Sequence, residues 1–250
     1  MGALPFVLIV AVIAIAGYFG YRSWQAEQKR RELLMMWATN SGFSYVVEDD
    51  SWCARWNATP FGEGDHRKAR NVITGTHKDR TFVAFDYTYE THSSNGKGGQ
   101  TTTTHHYVVT SLQLPTYLPQ LQVTPENMMT RLGNAVGLED IELESEDFNR
   151  RFRVHANDRK FAYDVLSPRT IQKLMAMPAY HWRIDGQTTV SWDLGRLEIP
   201  DLLARLAALG AVVDGIPDFV WHDNGVPQQS MIAAPPPITP QVTPPTGGPS

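Results

Sequence analysis

Residues 81–114 read TFVAFDYTYETHSSNGKGGQTTTTHHYVVTSLQL, and the fold class turns on them. In 81–90, Phe82, Ala84, Asp86 and Thr88 fall in one phase, and Val83, Phe85, Tyr87 and Tyr89 in the other. Residues 102–114 alternate again, with Tyr107, Val109, Ser111 and Gln113 set against Val108, Thr110, Leu112 and Leu114. Period two in segments rich in β-branched and aromatic residues predicts two strands joined across a polar, glycine-bearing tip.

Upstream, 71–76 predicts a partner strand, joined to 81–90 through the turn at His77, Lys78, Asp79 and Arg80. Residues 51–70 read as loop, with Pro60, Gly62 and Gly64 as breaks and the charged run 65–70 solvated. Residues 43–47 predict a short strand. Residues 25–40 predict a helix, since QAEQKRRELLMMWATN holds no Gly or Pro and places Leu33, Leu34, Met36 and Trp37 near helical spacing. Gly42 suits a left-handed stop.

Downstream, Pro115, Pro119 and Pro125 limit strand structure to brief pieces such as 121–123. Thr124 and Pro125 suggest a helix start, followed by Met128, Met129, Leu132 and Val136 at helical spacing. Residues 141–143 form a strand candidate, and 148–154 with 159–165 read as a hairpin. Ser167 caps a helix over 168–177. Residues 180–184 and 188–192 form a hairpin through Asp185-Gly186. Residues 200–209 predict a helix stopped by Gly210, with 212–213 and 219–221 as closing strands or coil. This order predicts an α+β fold, a mostly antiparallel sheet with packed helices, preceded by a single N-terminal transmembrane helix.

That last element rests on residues 1–21, which carry no charged side chain. About twenty apolar residues at 1.5 Å each reach roughly 30 Å, the depth of a hydrocarbon core. Tyr18, Phe19, Tyr21 and Trp24 gather at its far end, as interfacial aromatics do. A cleaved signal would want a basic start and a small-residue exit, and neither is present. Arg22, Lys29, Arg30 and Arg31 all follow the span, which predicts the soluble domain on the cytoplasmic side of a cell membrane. The expected organisation is an anchor at 1–24, a juxtamembrane helix at 25–41, an α+β domain at 42–224 and a disordered proline-rich tail at 225–250. Eight of the 17 prolines fall from Pro227 onward, and no charged side chain follows Asp223, so the tail has little to set against its ordering entropy.

The chain's chemistry is sparse. A formal net charge of −4 over 250 residues argues against nucleic acid as a partner. The single cysteine, Cys53, excludes an intramolecular disulfide and reads as a buried free thiol. A two-residue turn at Gly98-Gly99 would place His92 opposite His105, but His105 and His106 must point to opposite faces, and no H-E-x-x-H occurs. Lys97 precedes the second glycine of its loop and β-rich sequence follows, so a phosphate loop fails on order and context. The acidic run Glu142, Glu144, Glu146 and Asp147 reads as a solvated edge. Arg150, Arg151 and Arg153 either frame a groove or solvate their hairpin. No catalytic, cofactor-binding or metal-ligating residue is assigned, and no cofactor is called for.

The stretches VITGTHKDRTFVAFDYTYE (72–90), HHYVVTSLQLPTYLPQLQVTPE (105–126) and EDFNRRFRVHANDRKFAYDVLSP (146–168) resemble a bacterial, chiefly actinobacterial, family of uncharacterised membrane-anchored α+β proteins. The likeness spans roughly 42–220. It implies the anchor-plus-domain layout and brings no activity, ligand or catalytic residue. Three functional readings stay open. The first is a membrane-anchored scaffold or interaction domain with an unknown protein partner, touching lipid through its N-terminal helix. The second is an enzyme with an unfamiliar site, which requires a pocket joining the acids of 142–147 to a histidine. The third is a lipid or small-ligand sensor, which requires a basic or apolar pocket near residues 22–31.

Overall fold

Helix α1, Ala3–Asn40, opens the chain and ends at Gly42, whose φ of +73° is the left-handed stop expected there. The computed structural model describes residues 3–95, 99–126 and 138–226, with side chains from residue 14 onward except at residue 95. Strand β1, Ser44–Glu48, pairs antiparallel with β2, Asp65–His77, and β2 pairs with β3, Arg80–Asn95, across a tight turn. Lys78 and Asp79 take positive φ in that turn, at 49° and 62°. Strand β4, Gly99–Pro125, returns along β3, and β6, Phe152–Ala156, and then β5, Glu139–Asp140, continue the sheet beyond it. Every pairing is antiparallel.

The hairpin expected over 180–192 is the inner part of this sheet. Strand β7, His181–Leu194, pairs with β4 in two parts: Thr188 and Leu194 oppose Gln113 and Tyr107, while Trp182 and Gly186 oppose Val123 and Leu118. A straight strand would separate His181 from Asp193 by about 40 Å. Instead His181 Nδ1 lies 2.5 Å from an Asp193 oxygen, so β7 doubles back at Gly186, φ +60°. Strand β4 doubles back around it, and its pairing lapses between Gln113 and Leu118. Pro115 falls in that lapse, where no ladder hydrogen bond is asked of it. Thr124 and Pro125 pair with Arg153 and Phe152 as strand, not as a helix start. The helical pattern of Met128, Met129, Leu132 and Val136 lies outside the described residues.

Other expectations need correction. The run 65–70 is strand, not loop, because β1 and the turn after it supply opposite charges: Lys68 reaches Glu48 and Asp50 at 2.7 and 2.9 Å, and Arg70 reaches Glu48 at 3.0 Å. The hairpin read over 148–165 is instead helix α2, Glu146–Arg151, then β6, then helix α3, Arg159–Val165. Ser145 and Asp158 accept from the backbone N–H of Phe148 and Phe161, and such caps favour helix starts over strands. Helix α4, Pro168–Met175, has its cap at Ser167, as expected. Helix α5, Ile199–Val213, runs through Gly210, where open space leaves nothing to break the turn. Residues 219–221 lie in helix α6, Asp218–Asp223, rather than in a closing strand.

Each sheet face has its own core. Leu34 and Ala38 of α1 and Leu202, Leu206 and Leu209 of α5 pack on one face with Phe82, Ala84, Val108 and Leu112. On the other, Cys53, Trp56 and Phe61, carried by the 3-10 turn Asp50–Ala54 and the loop after it, cover Phe85, Tyr87, Val109 and Trp192.

Among the described residues no helix is long and apolar enough to cross a membrane. The span expected over 1–24 falls largely on residues before 14, whose side chains lie outside the description. Its described part is exposed throughout, with Ile15, Tyr18, Phe19, Tyr21 and Trp24 each more than half exposed. The tail from residue 227 onward also lies outside the described residues.

Candidate functional site

Arg30, Leu34 and Ala38 recur at four-residue spacing, so one stripe of α1 carries two apolar residues and a guanidinium onto the sheet. Arg30 meets Asp86, which sits in the core-facing phase of β3 beside Phe82 and Ala84. Its Nη2 donates to Asp86 Oδ2 at 2.7 Å and its Nη1 to the Leu197 carbonyl at 2.8 Å. Asp86 also accepts from Asn71 Nδ2 at 2.6 Å and from the Leu197 N–H at 2.5 Å. A register shift between Arg70 and Ile73 marks a bulge, and Asn71, at φ +52°, takes the left-handed conformation that turns its amide toward Asp86. Tyr45 donates to Asn71 Oδ1 at 2.7 Å, holding the amide from behind.

Glu27 extends the network. It accepts from Arg30 at 2.7 Å and from Arg196 at 2.6 Å. Burial raises the Glu27 pKa, but the hydrogen bond and charge of Arg30, with help from Arg196, reverse this and leave it lowered. Burial likewise opposes the Arg30 charge, and Glu27 and Asp86 outweigh it, so the Arg30 pKa is raised. His106, at the rim, has its pKa lowered by burial and then by Arg196.

Around this lock lies an open groove of about 370 Å³ between α1 and the sheet, bounded by Trp24, Arg31, Tyr107 and Arg196. Four arginines line it against two carboxylates. Arg31 Nε is buried there without a hydrogen-bond partner. With Asp86 held by three partners, the groove offers hydrogen-bond donors and an excess of positive charge, which suit an anion.

Sequence reasoning reached this region only as the requirement for a basic pocket near residues 22–31. Asp86 was legible as a carboxylate in an apolar phase, and Arg30 as a charge one turn before Leu34. The acidic run does not assemble a site, since Glu142, Glu144, Glu146 and Asp147 are all exposed. Nor do the three arginines frame a groove together. Arg150 pairs with Asp147, Arg151 donates to the Met175 and Met177 carbonyls at 2.7 and 2.6 Å, and Arg153 pairs with Glu126 at 2.6 Å. His92 faces Thr102, not His105, because the hairpin closes with Asn95 opposite Gly99. His105 faces Tyr89 and stacks on its ring at 4.6 Å. Cys53 is a buried free thiol whose pKa burial pushes up to about 11.

A second polar network went unread in the sequence. Asp193 joins His181 to Arg205, whose guanidinium also reaches Asp201 at 2.7 Å and lies 4.2 Å from the Tyr180 ring centroid. Beside it Arg183 is fully buried between the rings of Phe61 and Trp192. The bonds from Arg205 to Asp193 and Ser191 tie α5 to β7.

Residues 100–191 match the model of a family described as a protein of unknown function (DUF3137). The match runs from β4 into β7 and leaves α1, Asp86 and Arg196 outside it. No curated protein matches the chain. A crystal structure of the mycobacterial trehalose monomycolate transport factor A, TtfA, is similar with a TM-score of 0.56 at 13% identity. The likeness covers 76% of this chain and 95% of that one. At this identity the two share a fold, and the unknown-function family agrees with the uncharacterised part of the resemblance drawn from the sequence, while neither comparison shows the membrane anchor.

Proposed function

We propose that this protein is a membrane-tethered scaffold, in which α1 is both the anchor and the lever that sets the domain's orientation. The observation that carries this reading is the division of α1. Residues 14–24 are exposed on every side and rich in apolar and aromatic groups, whereas from Arg30 onward the same helix is bonded into the sheet. An unbroken helix transmits orientation, because each of its turns is hydrogen-bonded to the next. A bilayer is the occupant that suits the exposed half, given the uncharged run before Arg22 and the aromatics ahead of the basic residues. Positive charge after the apolar run supports a cytoplasmic side for the domain. The fold neighbour is named as a transport factor, and an accessory role of that kind fits a domain whose buried carboxylate is locked rather than poised. Proximity crosslinking in native membranes, followed by mass spectrometry, tests the scaffold: a reproducible protein partner is expected, and adducts to lipid alone would contradict it.

A second reading is favoured by the arginine-lined groove, which at the foot of an anchor would face lipid headgroups. It predicts that the full chain binds vesicles containing phosphatidylglycerol more tightly than purely zwitterionic ones, and that Arg31→Gln with Arg196→Gln removes the difference. Equal binding to both vesicles would sink it.

A further inference from the structure

The geometry points to a divalent transition-metal site, best suited to zinc, formed by Asp65, His66, Glu90 and His92 at the open end of the β2–β3 ladder. In regular strand Asp65 and His66 would point to opposite faces. A register shift between Asp65 and Lys68 and a φ of +48° at His66 mark a bulge there, which brings both side chains together. Glu90 and His92, two residues apart, share a face of β3 and stand beside them, with Asp65 opposite Glu90 in register. Gly64 allows the approach: a Cβ there would lie 2.2 Å from the Glu90 carbonyl oxygen.

The donor atoms are spaced as metal ligands are. His66 Nδ1 is 3.4 Å from Asp65 Oδ1 and 3.3 Å from Glu90 Oε2, and His92 Nε2 is 3.2 Å from Asp65 Oδ1. A tetrahedral ion with bonds near 2.0 Å has ligand-to-ligand edges of about 3.3 Å. One atom from each of the four residues lies within 4.8 Å of all the others, so small side-chain rotations close the remaining edges. His92 Nδ1 is 3.0 Å from the Thr102 hydroxyl of β4, which orients the ring and leaves Nε2 for the ion. Two imidazoles and two carboxylates match the nitrogen and oxygen ligands that zinc accepts, and the carboxylates balance its charge. Four protein ligands make the site structural, a clamp between the start of β2 and β3. Its neighbour is the loop over the second core, which Tyr89 holds by donating to Glu63 at 3.1 Å.

The test is calorimetric titration of the untagged full chain in detergent, stripped with chelator, using zinc chloride alone. One equivalent is expected with a dissociation constant at or below about 10 µM, and His92→Gln and Asp65→Asn each weaken it by about tenfold or more. His77→Gln, at the opposite end of the ladder, leaves binding unchanged. Cobalt(II) loading of the unaltered chain gives the intense visible bands of a four-coordinate ion. Absence of saturable binding, binding that survives both ligand substitutions, or only the weak bands of six-coordinate cobalt would overturn the assignment.

Discussion

Asp86 occupies a position that strand periodicity reserves for the core, and it remains a carboxylate because Arg30, Asn71 and the Leu197 N–H supply its hydrogen bonds. Removing one member of a buried pair leaves the other uncompensated. Asp86→Ala is therefore expected to lower stability by about 3 kcal/mol in urea denaturation, and a change within about 0.5 kcal/mol would contradict the lock. Cys53 makes a quieter prediction. With its pKa near 11, raised chiefly by burial, roughly 0.1% of the thiol is ionised at pH 8. A disulfide reagent should react slowly with the native chain and rapidly once it is unfolded. At this scale the sequence was half legible. Cys53 could be placed as a buried thiol, whereas Asp86 was read only as one more residue in the phase of Phe82 and Ala84. Nothing in the spacing linked Asp86 to Arg30, because that contact spans 56 residues and depends on a bulge at Asn71.

Among the elements, two glycines separate necessity from tolerance. Gly64, at φ +58°, has no room for a Cβ against Glu90, so Gly64→Ala is expected to cost about 2 kcal/mol or more. Gly210 lies inside α5 with open space around it, and Gly210→Ala should stabilise by about 0.5–1 kcal/mol in the same denaturation assay. The docking of α1 carries a pH signature. The folded pKa of Glu27 lies below its unfolded value of about 4.3, so its contribution is complete above that value and is lost as the pH falls through the folded one. Amide exchange along residues 30–38 should accelerate below about pH 4 relative to the sheet, and unchanged protection at pH 3 would contradict this. Strands with long alternation, such as β3 and β4, were readable because one period dominates ten or more residues. Helix α3 was not, since Phe161 and Val165 satisfy both a two-residue and a four-residue repeat. Only the cap at Asp158 decides between them.

For the molecule as a whole, α1 is a rod of 38 residues, about 57 Å long, fixed to the sheet at one end and exposed along its described first part. The α+β class and the antiparallel sheet follow from local patterns, and they agree with the fold shared with the mycobacterial transport factor. The groove at the foot of α1 was not visible in the sequence, because Trp24, Arg31, Tyr107 and Arg196 are brought together only by the packing of helix on sheet. In the proposed reading, α1 holds this domain at a bilayer. Alkaline carbonate extraction of membranes from cells producing the full chain tests it most directly: the protein is predicted to stay with the membrane pellet, and its release into the supernatant would contradict the claim.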